Sequence, residues 1–360
     1  MADDGLADFI DTVCGESRLR VEADLGDGFV RLRSSEAERR QAAQDIRSSE
    51  DIVIELLRNS RDAGARHIFV ATQRAGSQRL ITVVDDGGGI PAAQHERIFE
   101  PRVTSKLDTA HMDKWGMHGR GMALYSISEN AAEARVCLST PGCGTSLSVR
   151  TDTDQLGEKT DQSTFPRFER GPEGVLAMRG PKNIVRTVAE FALEHRGEVA
   201  VFLGTPVEIA ATLHAFGMAT LSAAVRAFPG KTEGFPIVKQ PALMGGPDEL
   251  AAWCESAGLP LSGRSARRII DGVVGAVPAM LDRIRNEGLG PVASEPARSP
   301  RRSAGRGLQL AAEDVERLSE AARTAVESLA GRYYLDGVGD PRVSVGADAI
   351  RITVPIRTMD

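Results

Sequence analysis

Glu55-Leu-Leu-Arg-Asn59-Ser-Arg-Asp62-Ala-Gly-Ala65 is the stretch on which the reading of this chain turns. Glu55, Asn59 and Asp62 fall at i, i+4 and i+7. A helix therefore aligns them on one face, while Leu56 and Leu57 point elsewhere and anchor it in a core. A carboxylate, a carboxamide and a second carboxylate in one row are costly to bury without partners. They suit a hydrated cation and a water that must lose a proton. A solvated helix face has the same pattern, so the row acquires meaning only from its surroundings. Ser48-Ser-Glu-Asp51 resembles a capping box that starts the helix, and Gly64 stops it.

Two strands follow, His67–Gln73 and Arg79–Val84, β-branched and apolar around a short Gly/Ser turn. The second runs into Asp85-Asp-Gly87-Gly-Gly89-Ile90, which neither strand nor helix continues through. Pro91 opens a short helix to about Phe99, and residues 101–118 read as a long polar loop of the functional kind. Gly116-Met-His118-Gly119-Arg120-Gly121 is a glycine-rich turn opening a helix that carries Met122, Leu124 and Ile127. A last hairpin, Val136–Ser139 and Thr145–Arg150, surrounds Pro141-Gly-Cys-Gly144. The order is helix, strand, strand, helix, loop, helix, strand, strand. It predicts an α+β sandwich of one sheet under one helical layer.

The chemistry of these loops converges. A carboxylate at a strand end, Asp85, can accept from an exocyclic amine such as adenine's. Gly87 and Gly89 beside it let a flat ring approach the backbone. Gly116, Gly119 and Gly121 precede a helix, so bare amides and the helix N-terminus can hold phosphate oxygens. Thr145 supplies a hydroxyl where the last strand begins.

Taken in this order, the four boxes resemble the GHKL superfamily of ATP-binding domains, which includes gyrase, mismatch-repair MutL, heat-shock chaperones and histidine kinases. The resemblance covers about residues 40–152. It implies a Bergerat-type sandwich, with ATP and Mg²⁺ as ligands. It also implies roles: Glu55 as general base, Asn59 as the Mg²⁺ ligand, and Asp62 holding lid and helix in register. Asp85, with Gly87, Gly89, Ile90 and Thr145, would form the adenine site. Lys106 would reach terminal phosphate from the lid, while Gly116, Gly119, Gly121 and Met122 cradle phosphates and His118 or Arg120 touches them. The boxes come from two branches. Asn59-Ser-Arg-Asp62-Ala-Gly-Ala is most similar to mismatch-repair and topoisomerase ATPases. Arg97-Ile-Phe-Glu-Pro101-Arg-Val-Thr104-Ser-Lys106 resembles the phenylalanine box and lid of histidine kinases. Three readings follow: slow Mg²⁺-dependent ATP hydrolysis coupled to lid closure or partner signalling, a kinase acting on histidine or serine of a separate partner, or a nucleotide-gated binding module. No histidine precedes His67, so an upstream phospho-accepting histidine is not part of the reading.

The remaining chain is divided by composition. Residues 1–34 form an extension with a hairpin around Leu25-Gly-Asp-Gly28, 35–152 the ATP-binding domain, and 153–174 a connector. Residues 175–285 form an α/β accessory domain, 286–308 a flexible arginine-bearing linker, and 309–360 a helix and hairpin. His195, in the accessory region, reads as a surface or packing residue. A net charge of −6 over 360 residues argues against a nucleic-acid grip, while ATP/ADP with a protein partner or a second copy are the partners that the resemblance implies. Cys14, Cys137, Cys143 and Cys254 lack zinc or disulfide spacing. No apolar run spans a membrane and no leader pattern is present, which predicts a cytoplasmic protein.

Overall fold

The computed structural model describes residues 21–105, 111–113, 116–118, 121–170, 176–227, 232–288, 312–333, 335–345 and 350–358. Its centre is a five-stranded mixed sheet. Strands β1 (Val21–Gly26) and β2 (Phe29–Leu32) precede helices α1 (Glu36–Ala43) and α2 (Ser49–Asp62), then β3 (His67–Ala75) and β4 (Gln78–Asp85). After β5 (Val103–Thr104), β6 (His111–Asp113) and β7 (Gly116–His118) come α3 (Ala123–Asn130), β8 (Glu133–Ser139) and β9 (Thr145–Asp152). The hairpin β10 (Arg167–Arg170) and β11 (Leu176–Arg179) leads to α4 (Ile184–Glu194), β12 (Ala200–Gly204), α5 (Pro206–Thr220), α6 (Pro247–Ser256) and α7 (Gly263–Ile270). The sheet order is β12-β3-β4-β9-β8, with β12 parallel to β3 and every other pair antiparallel. An α+β fold on a mixed sheet is as the sequence predicts.

The two-residue period of β3 explains the layering. Ile68 and Val70 face a core with Ile52, Val53 and Leu57 of α2 and Val188 and Phe191 of α4. Phe69 and Ala71 face the opposite way, against Ile209 and Leu213 of α5, Leu250 and Trp253 of α6, and Ile269 of α7. The single helical layer expected from the sequence is therefore one of two. The second seals the sheet's other face, where Thr82 and Ser146 donate from their hydroxyls to the carbonyls of Gly258 and Ala257, each at 2.6 Å.

Four other readings also change. The region 175–285 does not stand apart, because β12 is the edge strand of the main sheet and α4 packs in the same core as α2. The N-terminal hairpin turns at Asp27 and Gly28, both at positive φ as a two-residue primed turn requires, and β2 then pairs with β5 at Val30–Thr104. The helix expected from Pro91 to Phe99 is two 3₁₀ turns, Ala92–Gln94 and Arg97–Phe99, and Gly116–His118 is a strand paired with β6.

Contacts divide the chain after Val292. The second unit holds α8 (Ala312–Tyr333) and two nested strand pairs. In them β13 (Leu335–Val338) lies against β16 (Ile356–Thr358), and β14 (Arg342–Val345) against β15 (Ile350–Thr353). The sequence expects one hairpin there; the structure places a second pair outside it.

Candidate nucleotide site

Helix α2 begins where the Ser48 hydroxyl accepts from the Asp51 amide at 3.3 Å. It ends at Gly64, whose φ of +77° is the left-handed stop. Between Ile52 and Ser60 every residue is buried except Glu55 and Asn59. The row read from the sequence is thus the one open face of an otherwise sealed helix. Glu55 forms an ion pair with Arg58, which is 4% exposed. Asn59 Nδ2 is buried with no hydrogen-bond partner. Because a carboxamide's oxygen and nitrogen are interchangeable by a flip, this position offers either a donor or a hard oxygen ligand. Asp62 accepts from Arg61 Nε and Nη2 at 2.9 and 2.6 Å.

Strand β4 brings Asp85 beneath this helix, directly across from Thr145 of β9. Its carboxylate is 5% exposed and accepts from the Ser60 hydroxyl at 2.7 Å and the Gly87 amide at 2.9 Å. Burial pushes its pKa up to about 6, against the pull of Ser60, Gly87 and the Thr145 backbone, with the Asp86 charge adding to the rise. Asp86 behaves oppositely. Burial alone would raise it, but the His67 ring at 2.7 Å and the amides of His67 and Arg66 hold its carboxyl below the usual range.

The glycines are required by close approach. A Cβ on Gly89, at φ +72°, would lie 2.0 Å from the Thr140 carbonyl oxygen, and one on Gly144, at φ +93°, would lie 2.0 Å from that of Asp85. The loop after β4 and the turn before β9 therefore form one layered wall, pinned by Gly142 donating to the Gly88 carbonyl at 2.7 Å. Ser139 Oγ accepts from the Ile90 amide at 2.7 Å and lies 3.0 Å from Thr145 Oγ1. Gly121, at φ +67°, packs on the backbone of Arg102 and Val103, where Met122 caps α3.

Residues 44–155 match the family described as histidine kinase-, DNA gyrase B-, and HSP90-like ATPase. They are a domain of that family. The DNA mismatch repair protein MutL of Parabacteroides distasonis is 37% identical over 106 residues, 29% of this chain and 17% of that protein. MutL of Lactiplantibacillus plantarum is 30% identical over 177 residues, 46% of this chain and 26% of that protein. MutL of Thermus aquaticus is 42% identical over 85 residues, 23% of this chain and 15% of that protein. The chain thus spans about a quarter or less of the length of these relatives.

Within this GHKL domain, Glu55, Asn59, Asp62, Asp85, Gly87, Gly89, Ile90, Gly121, Met122 and Thr145 all lie on α2, on the wall facing it or at the start of α3. Gly116 and His118 are placed by backbone on β7, and Lys106, Gly119 and Arg120 lie outside the described residues. Two polar residues were not singled out from sequence. Ser60 hides behind the row at i+1 from Asn59, and Ser139 ends the first strand of the last hairpin. A polar residue placed to face a strand-end carboxylate was the available signal for Ser60.

Proposed function

We propose that this chain binds ATP with Mg²⁺ between α2 and the Gly87–Gly89 and Gly142–Thr145 wall, and hydrolyses it slowly. The observation that carries the reading is Asp85. It is a buried carboxylate at a strand end, bracketed by Ser60, Gly87 and Thr145, with glycines stripped of side chains on both sides of it. An adenine amine donating to Asp85 would replace the Ser60 hydroxyl or share the carboxylate with it. The unpartnered Asn59 carboxamide fits a cation that keeps most of its waters and takes its other ligands from phosphate. Among the described residues no group of three acidic, histidine or cysteine side chains could hold a metal by itself. When bound, Mg²⁺ would neutralise charge developing on the transferred phosphoryl group. Glu55, its rotamer fixed by Arg58, would orient and deprotonate the attacking water. Lys106 and the segment around it would close over the phosphates as a lid.

The relatives' printed names concern DNA mismatch repair, and the homology favours ATP binding and turnover as the shared step. The chain's coverage of those proteins leaves repair itself outside the proposal. Titration calorimetry with ATP and ADP, with and without Mg²⁺, alongside phosphate release from wild type and Glu55→Ala, is the test. Mg²⁺-dependent binding with turnover lost in Glu55→Ala is the expected result. No nucleotide binding sinks the reading. Label retained on a partner protein instead of released as phosphate would replace hydrolysis with the kinase reading.

A further inference from the structure

Arg61, in the last turn of α2, is where the end of helix α4, outside the matched domain, meets α2. Its guanidinium chelates Asp62 through Nε and Nη2, and its Nη1 lies 3.0 Å from His195 Nε2. A guanidinium has donors and no acceptor, so the histidine nitrogen must accept and the ring proton sits on Nδ1. Nδ1 in turn lies 3.4 Å from the exposed Glu198 carboxylate. The ring is clamped against Phe191, centroids 4.5 Å apart, and is 12% exposed. His195 is therefore an oriented acceptor rather than a loose surface side chain.

What Arg61 holds explains why that acceptor matters. Asp62 ends α2, and the next residue, Ala63, accepts the Gly88 amide at 2.8 Å. A Cβ on Gly87 would meet Ala63 at 3.0 Å, so helix end and glycine loop are in full contact. Three and four residues further on, the Arg66 and His67 amides bind Asp86. The turn from Asp62 to His67 is thus the piece against which the Asp85–Gly89 wall is built, and His195 braces it from the far side.

We propose that His195 is a positioning residue for the nucleotide site: by accepting from Arg61 it fixes Asp62 and the Ala63–Gly64 turn against the Gly87–Gly88 loop. The inference rests on the ATP-site reading for its effect on affinity, but its structural half does not. An acceptor at 195 is required; imidazole as such is not.

The discriminating set is His195→Phe, which keeps the stack and removes the acceptor, and His195→Gln, whose amide oxygen can accept from Arg61. His195→Phe should weaken ATP binding about tenfold, the loss of one hydrogen bond from a charged donor, while His195→Gln stays within about twofold of wild type. In unliganded protein, hydrogen exchange at the Gly88 amide should quicken about tenfold in His195→Phe and return towards wild type in His195→Gln. Unchanged Gly88 exchange in the phenylalanine variant overturns the proposal whether or not ATP binds. Equal losses in both variants also overturn it, since they mean packing and not acceptance. Wild type that fails to bind ATP, with the Gly88 pattern as predicted, removes the ATP reading and keeps the brace.

Discussion

Asp85 carries an unresolved electrostatic cost in the unliganded chain. With its pKa raised to about 6 from an ordinary 3.8, the folded state holds the proton more tightly than the unfolded state does. The contribution of this group to stability is therefore greatest in acid and falls as pH rises from about 4 to about 6, beyond which a fixed penalty remains. Asp85→Asn removes the charge and keeps an oxygen for Ser60 and Gly87. It should raise stability at pH 7.5 by on the order of 2 kcal/mol, with the gain vanishing below pH 4. The same variant should lose ATP binding, because a carboxamide in that bonding pattern no longer presents a full acceptor to an amine. Denaturant melts across pH check the first half and calorimetry the second; a destabilised variant at pH 7.5 would show that the carboxylate's hydrogen bonds outweigh its burial. Asp85 was legible in the sequence because an acidic residue directly after an apolar strand and before three glycines has few structural uses. Ser60 and His195 were not. Each matters through a partner 25 or 134 residues away, and nothing local marks such a pairing.

At the scale of elements, the base of the loop after Phe99 is held by parts of the chain that the sequence assigns to a separate extension. β2 pairs with β5, the Leu32 amide donates to the Arg102 carbonyl at 3.0 Å, and Arg31 pairs with Glu100. Arg102 sits at φ +60°, 5% exposed, its guanidinium paired with Glu38 of α1 and its Nε without a partner. Glu38 also closes the capping box with Ser35. Its carboxyl is held below the ordinary range by the Ser35 amide first, against the opposing effect of burial, and by Arg102. A lowered carboxylate contributes stability above its unfolded pKa and loses it as pH falls through the folded value. Glu38→Gln should cost at most about 1 kcal/mol at pH 7, from a weakened cap and a buried cation without its anion, since the Glu38 side chain is 44% exposed and solvent screens its charge, with the deficit closing below pH 4. Thermal melts at the two pH values decide it; a deficit that persists in acid would assign the loss to the cap's geometry alone. Helix α2 was legible because its cap and its 3.6-residue periodicity are local signals. The strand β5, two residues long, was not, since only its partner across the molecule makes it a strand.

For the first unit as a whole, the second helical layer decides what folds. A sandwich with one helical layer would leave Phe69, Ala71 and Val84 on an open sheet face, whereas here each is at most 1% exposed beneath α5, α6 and α7. β12 likewise covers the first five residues of the β3 edge, from Ala200 opposite His67 to Gly204 opposite Ala71. The turn that flanks Thr145 is tied into this layer, the Ile237 amide donating to the Cys143 carbonyl at 2.7 Å. None of this was legible, because a five-residue apolar strand names no sheet and α5 is buried along much of its length without a clear polar face. The family match ends at residue 155, but the physical unit does not. A chain cut after residue 174 should therefore expose an unpaired β3 edge and a bare apolar face, and aggregate on expression. A chain cut after Val292 should melt cooperatively near the full-length midpoint, its β3 and β4 amides exchanging only through global unfolding. Size-exclusion chromatography and hydrogen exchange on the two truncations separate the cases. A soluble, cooperatively melting 1–174 fragment would show that the second layer is an addition to the nucleotide domain and not part of its core.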